Sequence, residues 1–174
     1  MHLAGKRVIV LVADLYQELE VWYPILRLKE AGVEVTVVGP QARQAYKGKH
    51  GYPIVSDASA DQINIEEYSG IVIPGGYAPD IIRRYPEMVN LVKDLYKKGG
   101  AVAAICHGGW VLVSAKILEG KTVTGFFAIK DDLESAGAKF VDAEVVVDGN
   151  LITSRKPEDL PMFLTEIIKL LEQT

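Results

Sequence analysis

One stretch of the sequence indicates both the fold and the reactive residue: Ala101-Val102-Ala103-Ala104-Ile105-Cys106-His107-Gly108-Gly109-Trp110. Its first five residues form an apolar run typical of a buried strand, and a helical pattern follows over 107–116. Cys106, the only cysteine, stands at the corner between them. Small neighbours on both sides leave room for a sharp strand-to-helix turn that lifts one side chain clear of the sheet. We therefore predict a nucleophile elbow with Cys106 at its tip.

The position of Cys106 also predicts its chemistry. A thiol at the start of a helix lies beside backbone N–H groups that have no partners, and these favour the ionised form. The sequence thus predicts that Cys106 loses its proton more easily than an ordinary thiol. The alternative is a small buried apolar residue, which is the role of most lone cysteines.

Composition and charge restrict the class of protein. The 174 residues are 49% hydrophobic, which suits a single domain over 1–174 with one substantial core. With 23 acidic against 19 basic residues, the net charge of −4 has the wrong sign for a nucleic-acid binder. No apolar run approaches the ~20 residues of a membrane helix, and the first residues lack the apolar segment of a signal peptide. A single cysteine excludes an internal disulfide, so we expect a cytoplasmic protein.

Apolar strand patterns alternate with helical patterns along the chain. Strands are predicted at 7–13, 34–38, 71–73, 101–105 and 122–124, and helices at 18–31, 86–98, 107–116, 129–136 and 157–171. Pro24 should kink its helix or mark its first turn. Residues 41–61 are predicted to be irregular or a small hairpin, and 144–147 with 151–154 to form a hairpin around Asp148-Gly149-Asn150. The alternation predicts an α/β, doubly wound, three-layer sandwich around a mostly parallel sheet.

Three loops meet at the carboxyl ends of the predicted strands, where such sheets bind ligands. They are residues 14–20, 74–80 and 106–110. Backbone N–H groups of Gly75 and Gly76, with the N–H after Cys106, are candidates for an oxyanion hole, and we add Gly108 to this substrate-binding set. The demands of a tight turn would explain the Gly-Gly pair equally well.

Three titratable side chains are candidates for assisting the thiol. His107 is placed to act as a base, or it simply faces solvent. Asp80 either orients the imidazole or caps the helix before Ile81. Glu20, on an apolar-rich helix, would have its pKa raised by burial and would then donate a hydrogen bond to the thiolate; its alternative is plain surface exposure.

The sequence does not support a metal site or a dinucleotide-binding site. His2, His50, His107 and Cys106 lack the spacing of metal ligands apart from the adjacent pair. No G-x-G-x-x-G follows the first strand, so a dinucleotide site is unsupported. We therefore predict neither a metal nor a cofactor.

Several segments spread over almost the whole chain form a recognisable set. They comprise Glu18-Leu19-Glu20, Lys47-Gly48-Lys49-His50-Gly51, Pro74-Gly75-Gly76, Ala104-Ile105-Cys106-His107-Gly108, and residues 129–132, 142–150 and 154–160. Together they resemble the PfpI family of intracellular cysteine proteases and deglycase-like proteins, in the ThiJ/PfpI superfamily with its class I glutamine amidotransferase-like fold. The resemblance implies a flavodoxin-like sandwich with Cys106 as nucleophile. It places the family's buried glutamate at Glu20 and its histidine at His107.

The same resemblance implies an assembly. In PfpI-like proteins the acid of the triad follows the Gly-Gly turn and comes from a neighbouring subunit, which falls here on Asp80. The resemblance therefore implies a homo-oligomer of at least two subunits, with a hexamer as the larger form known in the family. Two departures stand out: Gly109 replaces the proline of many relatives, and Asp80 is one methylene shorter than the glutamate of some members.

Three functional hypotheses follow. The first is a cysteine-dependent hydrolase of small carbonyl compounds, peptides or glycated proteins, since the family includes peptidases, glyoxalases and deglycases. The second is a non-enzymatic oxidative-stress sensor or chaperone in which Cys106 is oxidised to a sulfinate held by Glu20. The third, a glutamine amidotransferase, needs a separate downstream histidine, and none follows residue 107. We set it aside.

Overall fold

The computed structural model describes residues 3–173 as eleven strands and six α-helices. The strands are β1 (Arg7–Leu11), β2 (Glu34–Gly39), β3 (Ala45–Lys47), β4 (Pro53–Val55), β5 (Ala58–Ser59), β6 (Gly70–Ile73), β7 (Ala101–Ile105), β8 (Thr122–Val123), β9 (Lys139–Phe140), β10 (Val145–Asp148) and β11 (Leu151–Ser154). The helices are α1 (Glu18–Glu30), α2 (Ala78–Ile82), α3 (Pro86–Lys97), α4 (Gly109–Ala115), α5 (Lys130–Ser135) and α6 (Leu160–Gln173). None of them is long and apolar enough to span a membrane.

Seven strands form the central sheet, in the order β10-β11-β7-β6-β1-β2-β5. Every neighbouring pair is parallel except β10 and β11. The central strands β6 and β7 are buried along their whole length because helices cover both faces, as their continuous apolar runs predict. On these faces α1 packs against α6 and α3 packs against α4. The predicted mostly parallel α/β sandwich is thus confirmed.

The irregular parts differ from the sequence-based expectations in detail. Residues 41–61 contain the hairpin β3–β4, and also the short edge strand β5, which was not predicted. The predicted strand at 122–124 is real, but β8 pairs with the unpredicted β9 in a small separate sheet. Helix α2 was not predicted, because five residues are too few to show a helical period. Helix α1 continues through Pro24, so this residue does not mark the first turn.

The strand order places the three predicted loops side by side. Strands β7, β6 and β1 are consecutive in the sheet. The segments that follow them at their carboxyl ends are therefore neighbours, and an antiparallel bridge between Tyr16 and Gly76 joins two of these segments directly. This edge of the sheet holds the candidate site.

Candidate active site

Cys106 occupies a strained corner. Its φ is +60°, a left-handed conformation that costs a side-chain-bearing residue about 1–2 kcal/mol. A single 3-10 turn over Cys106–Gly108 leads from β7 into α4. A Cβ on Gly108 would lie 2.7 Å from the Ile73 carbonyl oxygen, so only glycine lets this turn approach the end of β6. The predicted nucleophile elbow is present.

The Gly75-Gly76 turn wraps the thiol closely. A Cβ on Gly75 would lie 2.5 Å from Glu20 Oε2 and 2.7 Å from Cys106 Cβ. Gly76 has φ +74°, and a Cβ there would lie 2.4 Å from the Leu15 carbonyl oxygen. Both glycines are therefore required by close approach, in addition to the turn itself.

Glu20 lies in the first turn of α1 and is completely buried. The Gly75 N–H donates to its Oε2 at 2.6 Å, while Oε1 has no hydrogen-bond partner among the described residues. Burial raises the pKa of Glu20 to about 8, although the Gly75 N–H and a hydrogen-bonding contact with Cys106 oppose the rise. Glu20 is thus mostly protonated at pH 7 and has a proton to donate to the sulfur. The surface alternative for Glu20 is wrong.

The ionisation of Cys106 differs from the expectation. Burial, followed by repulsion from a negative Glu20, raises the pKa of the Cys106 thiol to about 12. The N–H groups of His107 and Gly76 lower it, as predicted for an elbow, but they are outweighed. The predicted easy loss of the proton is therefore wrong in its net direction. Protonation of Glu20 removes the repulsive part of this rise.

His107 is positioned by aromatic rings. Its Nδ1 lies 3.4 Å from Cys106 Sγ. The imidazole stacks on Phe126 at a centroid distance of 4.9 Å and meets the Trp110 ring edge-on at 5.0 Å. Burial and the nearby Lys49 lower the pKa of His107, against the opposing effect of Asp132. A neutral imidazole beside the sulfur is able to accept its proton.

Asp80 lies apart from this group. It belongs to the first turn of α2 and forms an ion pair with Arg84, whose hydrogen bond lowers the pKa of Asp80. The residue at the N-cap position is Tyr77, so the alternative of Asp80 as helix cap is wrong. Within residues 3–173 no hydrogen bond joins Asp80 to His107. The single chain therefore brings together Cys106, His107 and Glu20 only.

Only some of the backbone N–H groups predicted to form an oxyanion hole are available as donors. The Gly75 N–H is already used by Glu20, and the absent side chain of Gly108 allows close packing on β6. The Gly76 and His107 N–H groups remain directed at the sulfur of Cys106. These two donors are suitably placed for a negative oxygen that develops beside the thiol.

A cavity of about 380 Å³ opens above the thiol. Its lining consists of Gln17, Glu20, Lys49, Gly76, Tyr77, Cys106, His107, Trp110, Phe126, Lys156 and Pro157. Sequence reasoning missed four of these as site residues, because each reaches the cavity through the tertiary fold rather than through a local motif: Lys49, Phe126, Lys156 and Pro157. In the part of the chain described here, no cluster of His, Cys, Asp or Glu is arranged to hold a metal ion.

Comparison with known proteins places this geometry in context. Residues 6–170 match the DJ-1/PfpI family. A protein of Thermococcus kodakarensis named deglycase TK1284 is 44% identical over 165 residues, covering 95% of this chain and 99% of that protein. General stress protein 18 of Bacillus subtilis is 40% identical over 171 residues, covering 97% and 99%. A crystal structure from Anabaena variabilis, a two-domain protein with DJ-1/ThiJ/PfpI-like and ferritin-like domains, superposes with a TM-score of 0.94 at 43% identity, covering 95% of this chain and 48% of that one.

Proposed function

The chain belongs to the DJ-1/PfpI family, and from this premise we propose that it is a cysteine-dependent hydrolase that acts on carbonyl compounds. The observation that carries the proposal is the Cys106 elbow, which holds the thiol at the cavity between a protonated Glu20 and a neutral His107. The deglycase name of one relative supports carbonyl adducts as substrates. Small 2-oxoaldehydes, glycated amino groups and peptides all offer the electrophilic carbon that such a thiol attacks.

The reaction with a 2-oxoaldehyde balances without a cofactor. Cys106 sulfur adds to the aldehyde carbon as its proton passes to His107, and the carbonyl oxygen takes up a proton to give a hemithioacetal. Transfer of the C1 proton to C2 through an enediol converts this adduct to a thioester of the 2-hydroxy acid. Water then cleaves the thioester and returns the free thiol. C1 is oxidised as C2 is reduced, so no external oxidant is needed.

The surrounding groups have separable roles in this scheme. Neutral Glu20 donates to the sulfur and so stabilises a thiolate without adding a negative charge. The N–H groups of Gly76 and His107 stabilise the oxygen that becomes negative on attack. His107 carries the proton between sulfur and substrate, because its Nδ1 is in contact with Sγ.

The test is multiple-turnover consumption of methylglyoxal, with lactate measured as product, by the protein and its Cys106→Ser variant. We expect lactate from the unaltered protein and none above background from the variant, because a hydroxyl is a far poorer nucleophile than a thiol. Equal turnover by both proteins would contradict the proposal. Turnover by neither would leave peptide hydrolysis and redox sensing as the remaining functions.

A second candidate is favoured by the same donors. The Gly76 and His107 N–H groups and the Glu20 carboxyl surround the sulfur as they would surround the oxygens of a sulfinate. One relative is named a general stress protein. If Cys106 is a redox sensor, mild peroxide should add two oxygen atoms to the intact mass of the protein. A Cys106→Ser control must show no such adduct, and its absence from the unaltered protein would rule the sensor out.

We also propose a cytoplasmic homo-oligomer, a dimer or a hexamer, in which Asp80 of the partner subunit meets His107. The separation of the two residues within one chain supports this, since no carboxylate or carbonyl oxygen among residues 3–173 accepts a hydrogen bond from the imidazole and orients it. A reducing compartment would keep the thiol available.

A further inference from the structure

Two cationic side chains line the cavity that contains Cys106. They are Lys49, from the segment after β3, and Lys156, from the segment after β11. Both residues are exposed, and neither has an ion-pair partner within residues 3–173. The carboxylic acid of the lining is Glu20, which burial keeps mostly neutral at pH 7. The residues that line the cavity therefore include two cations and no carboxylate that is mostly ionised at pH 7.

Three of the four acids near this wall are held by other donors. The fourth, Glu158, is exposed and acts on Glu20, but it does not line the cavity. Glu18 accepts from the backbone and the ring of His50, and Asp132 accepts from Trp110 Nε1 at 2.9 Å. Asp159 binds the guanidinium of Arg155, the residue before Lys156. These three acids are held by other donors, and neither lysine forms an ion pair with Glu158, so both ammonium groups remain available to a ligand.

Backbone hydrogen bonds hold the main chain at each of the two lysines. The Lys49 N–H donates to the Tyr16 carbonyl at 2.9 Å, and the next N–H donates to Glu18 at 2.6 Å. The Lys156 carbonyl accepts from the Asp159 N–H at 3.0 Å. The charge of Lys49 also acts on both Glu20 and His107, which flank the thiol. The cation is therefore close enough to influence what binds at Cys106.

We propose that Lys49 and Lys156 select carbonyl substrates that carry a carboxylate a few atoms from the reacting carbon. The inference rests on the function proposed above and names its substrate class, acidic 2-oxoaldehydes and adducts of acidic compounds. A carboxylate is favoured over a phosphate because phosphate sites in proteins add backbone N–H donors to the cations. Here the Gly76 and His107 N–H groups are directed at the sulfur instead.

The first experiment probes Cys106 with two alkylating agents that differ only in charge. Iodoacetate carries a carboxylate where iodoacetamide carries an amide, and the single cysteine makes the mass change unambiguous. We expect the rate ratio of iodoacetate to iodoacetamide to fall at least about threefold in Lys49→Met and in Lys156→Met. Added salt should lower the ratio of the unaltered protein.

The matched control is Lys47→Met, which removes an exposed lysine two residues before Lys49 that does not line the cavity. Its rate ratio should equal that of the unaltered protein. The same ratio in all four proteins would overturn the proposal. A fall in the control as large as in Lys49→Met would assign the effect to overall charge and overturn it as well.

The second experiment compares turnover of 4,5-dioxopentanoate with that of 2-oxopentanal, in which a methyl replaces the carboxylate. We expect kcat/KM to favour the acidic substrate, and the preference to shrink several-fold in each cavity-lysine variant. Turnover of both substrates without a preference would overturn this inference and leave the proposed function standing. Turnover of neither would remove 2-oxoaldehydes from the proposed function, and the alkylation ratios would still decide whether the lysines select carboxylates.

Discussion

At the scale of single residues, the site is governed by where one proton resides between Glu20 and Cys106. Burial raises the pKa of both groups. Two negative charges cannot share this space, so the pair holds a proton at neutral pH. A neutral acid beside a thiolate gives the nucleophile a hydrogen bond without repulsion. Glu20 therefore controls how much thiolate is present.

The raised pKa of Glu20 predicts a pH-dependent stability. The folded protein holds this proton up to a pH of about 8, whereas the unfolded chain releases it near 4.5. Between these values the folded form binds more protons, so the free energy of unfolding falls as pH rises, by about 3–5 kcal/mol. Glu20→Gln should not show this fall. Urea unfolding of both proteins at pH 5 and pH 8 measures the difference, and parallel pH dependences would contradict the buried-acid interpretation.

The left-handed backbone of Cys106 predicts an unusual order of stability. Cys106→Ala and Cys106→Gly both remove the sulfur, but only glycine relieves the strain at φ +60°. We expect the glycine variant to be more stable than the alanine variant by about 1 kcal/mol. At an ordinary buried position the order is reversed. Thermal denaturation of the two variants gives the answer, and a more stable alanine variant would exclude strain at the elbow.

At the scale of elements, the elbow exists because β6 and β7 are adjacent parallel strands that end together. The turn after β7 must pass over the end of β6, and Gly108 meets the Ile73 carbonyl there. Glycine is needed at this point for space, since its φ of −54° suits any residue. Packing between β6 and the turn after β7, rather than backbone conformation, therefore requires glycine at position 108.

Adjacent glycines provide a matched test of that packing. Gly108 and Gly109 have nearly the same helical φ and ψ, so alanine gains equal helix propensity at both. In Gly108→Ala the new Cβ lies 2.7 Å from a backbone oxygen, whereas in Gly109→Ala it lies 3.0 Å from the movable Leu133 side chain. We expect Gly108→Ala to be less stable than Gly109→Ala by about 1–3 kcal/mol in chemical unfolding. Equal stabilities would show that the elbow does not depend on this contact.

At the scale of the whole molecule, exposed apolar side chains offer a surface for the proposed association of subunits. Leu19 and Leu26 on α1 are 56% and 61% exposed, and Phe127 beside the cavity is 76% exposed. Large exposed apolar side chains such as these often mark interaction surfaces. An oligomer would cover part of this surface and could bring Asp80 of one subunit to His107 of another.

Mixing inactive variants tests the shared site. Cys106→Ser and Asp80→Asn subunits should each have little activity alone. If Asp80 acts across the interface, a mixed oligomer contains sites with both residues intact, so methylglyoxal turnover should recover to a substantial fraction of the unaltered level. Light scattering of the same samples gives the number of subunits. An active Asp80→Asn protein, or mixed oligomers without recovery, would contradict the shared triad.

The sequence by itself was sufficient for the parallel α/β sandwich, the elbow at Cys106 and the hairpin around Gly149. These features depend on local patterns: continuous apolar runs, small residues around a corner, and Asp-Gly in a turn. For Glu20 the residues left burial and surface exposure open, and the structure shows that it is buried. Short elements such as α2 and β5 were not predicted, because they are held by tertiary contacts and are too short to show a helical or strand period in the sequence.

Only the tertiary structure decided the electrostatics of the site. The raised pKa of Cys106, the use of the Gly75 N–H by Glu20 and the two lysines in the cavity wall all join residues far apart in the chain. The sequence contains the helix end that favours a thiolate, but not the depth at which the thiol is buried. Desolvation depends on every neighbour that excludes water, and that is settled when the three layers pack together.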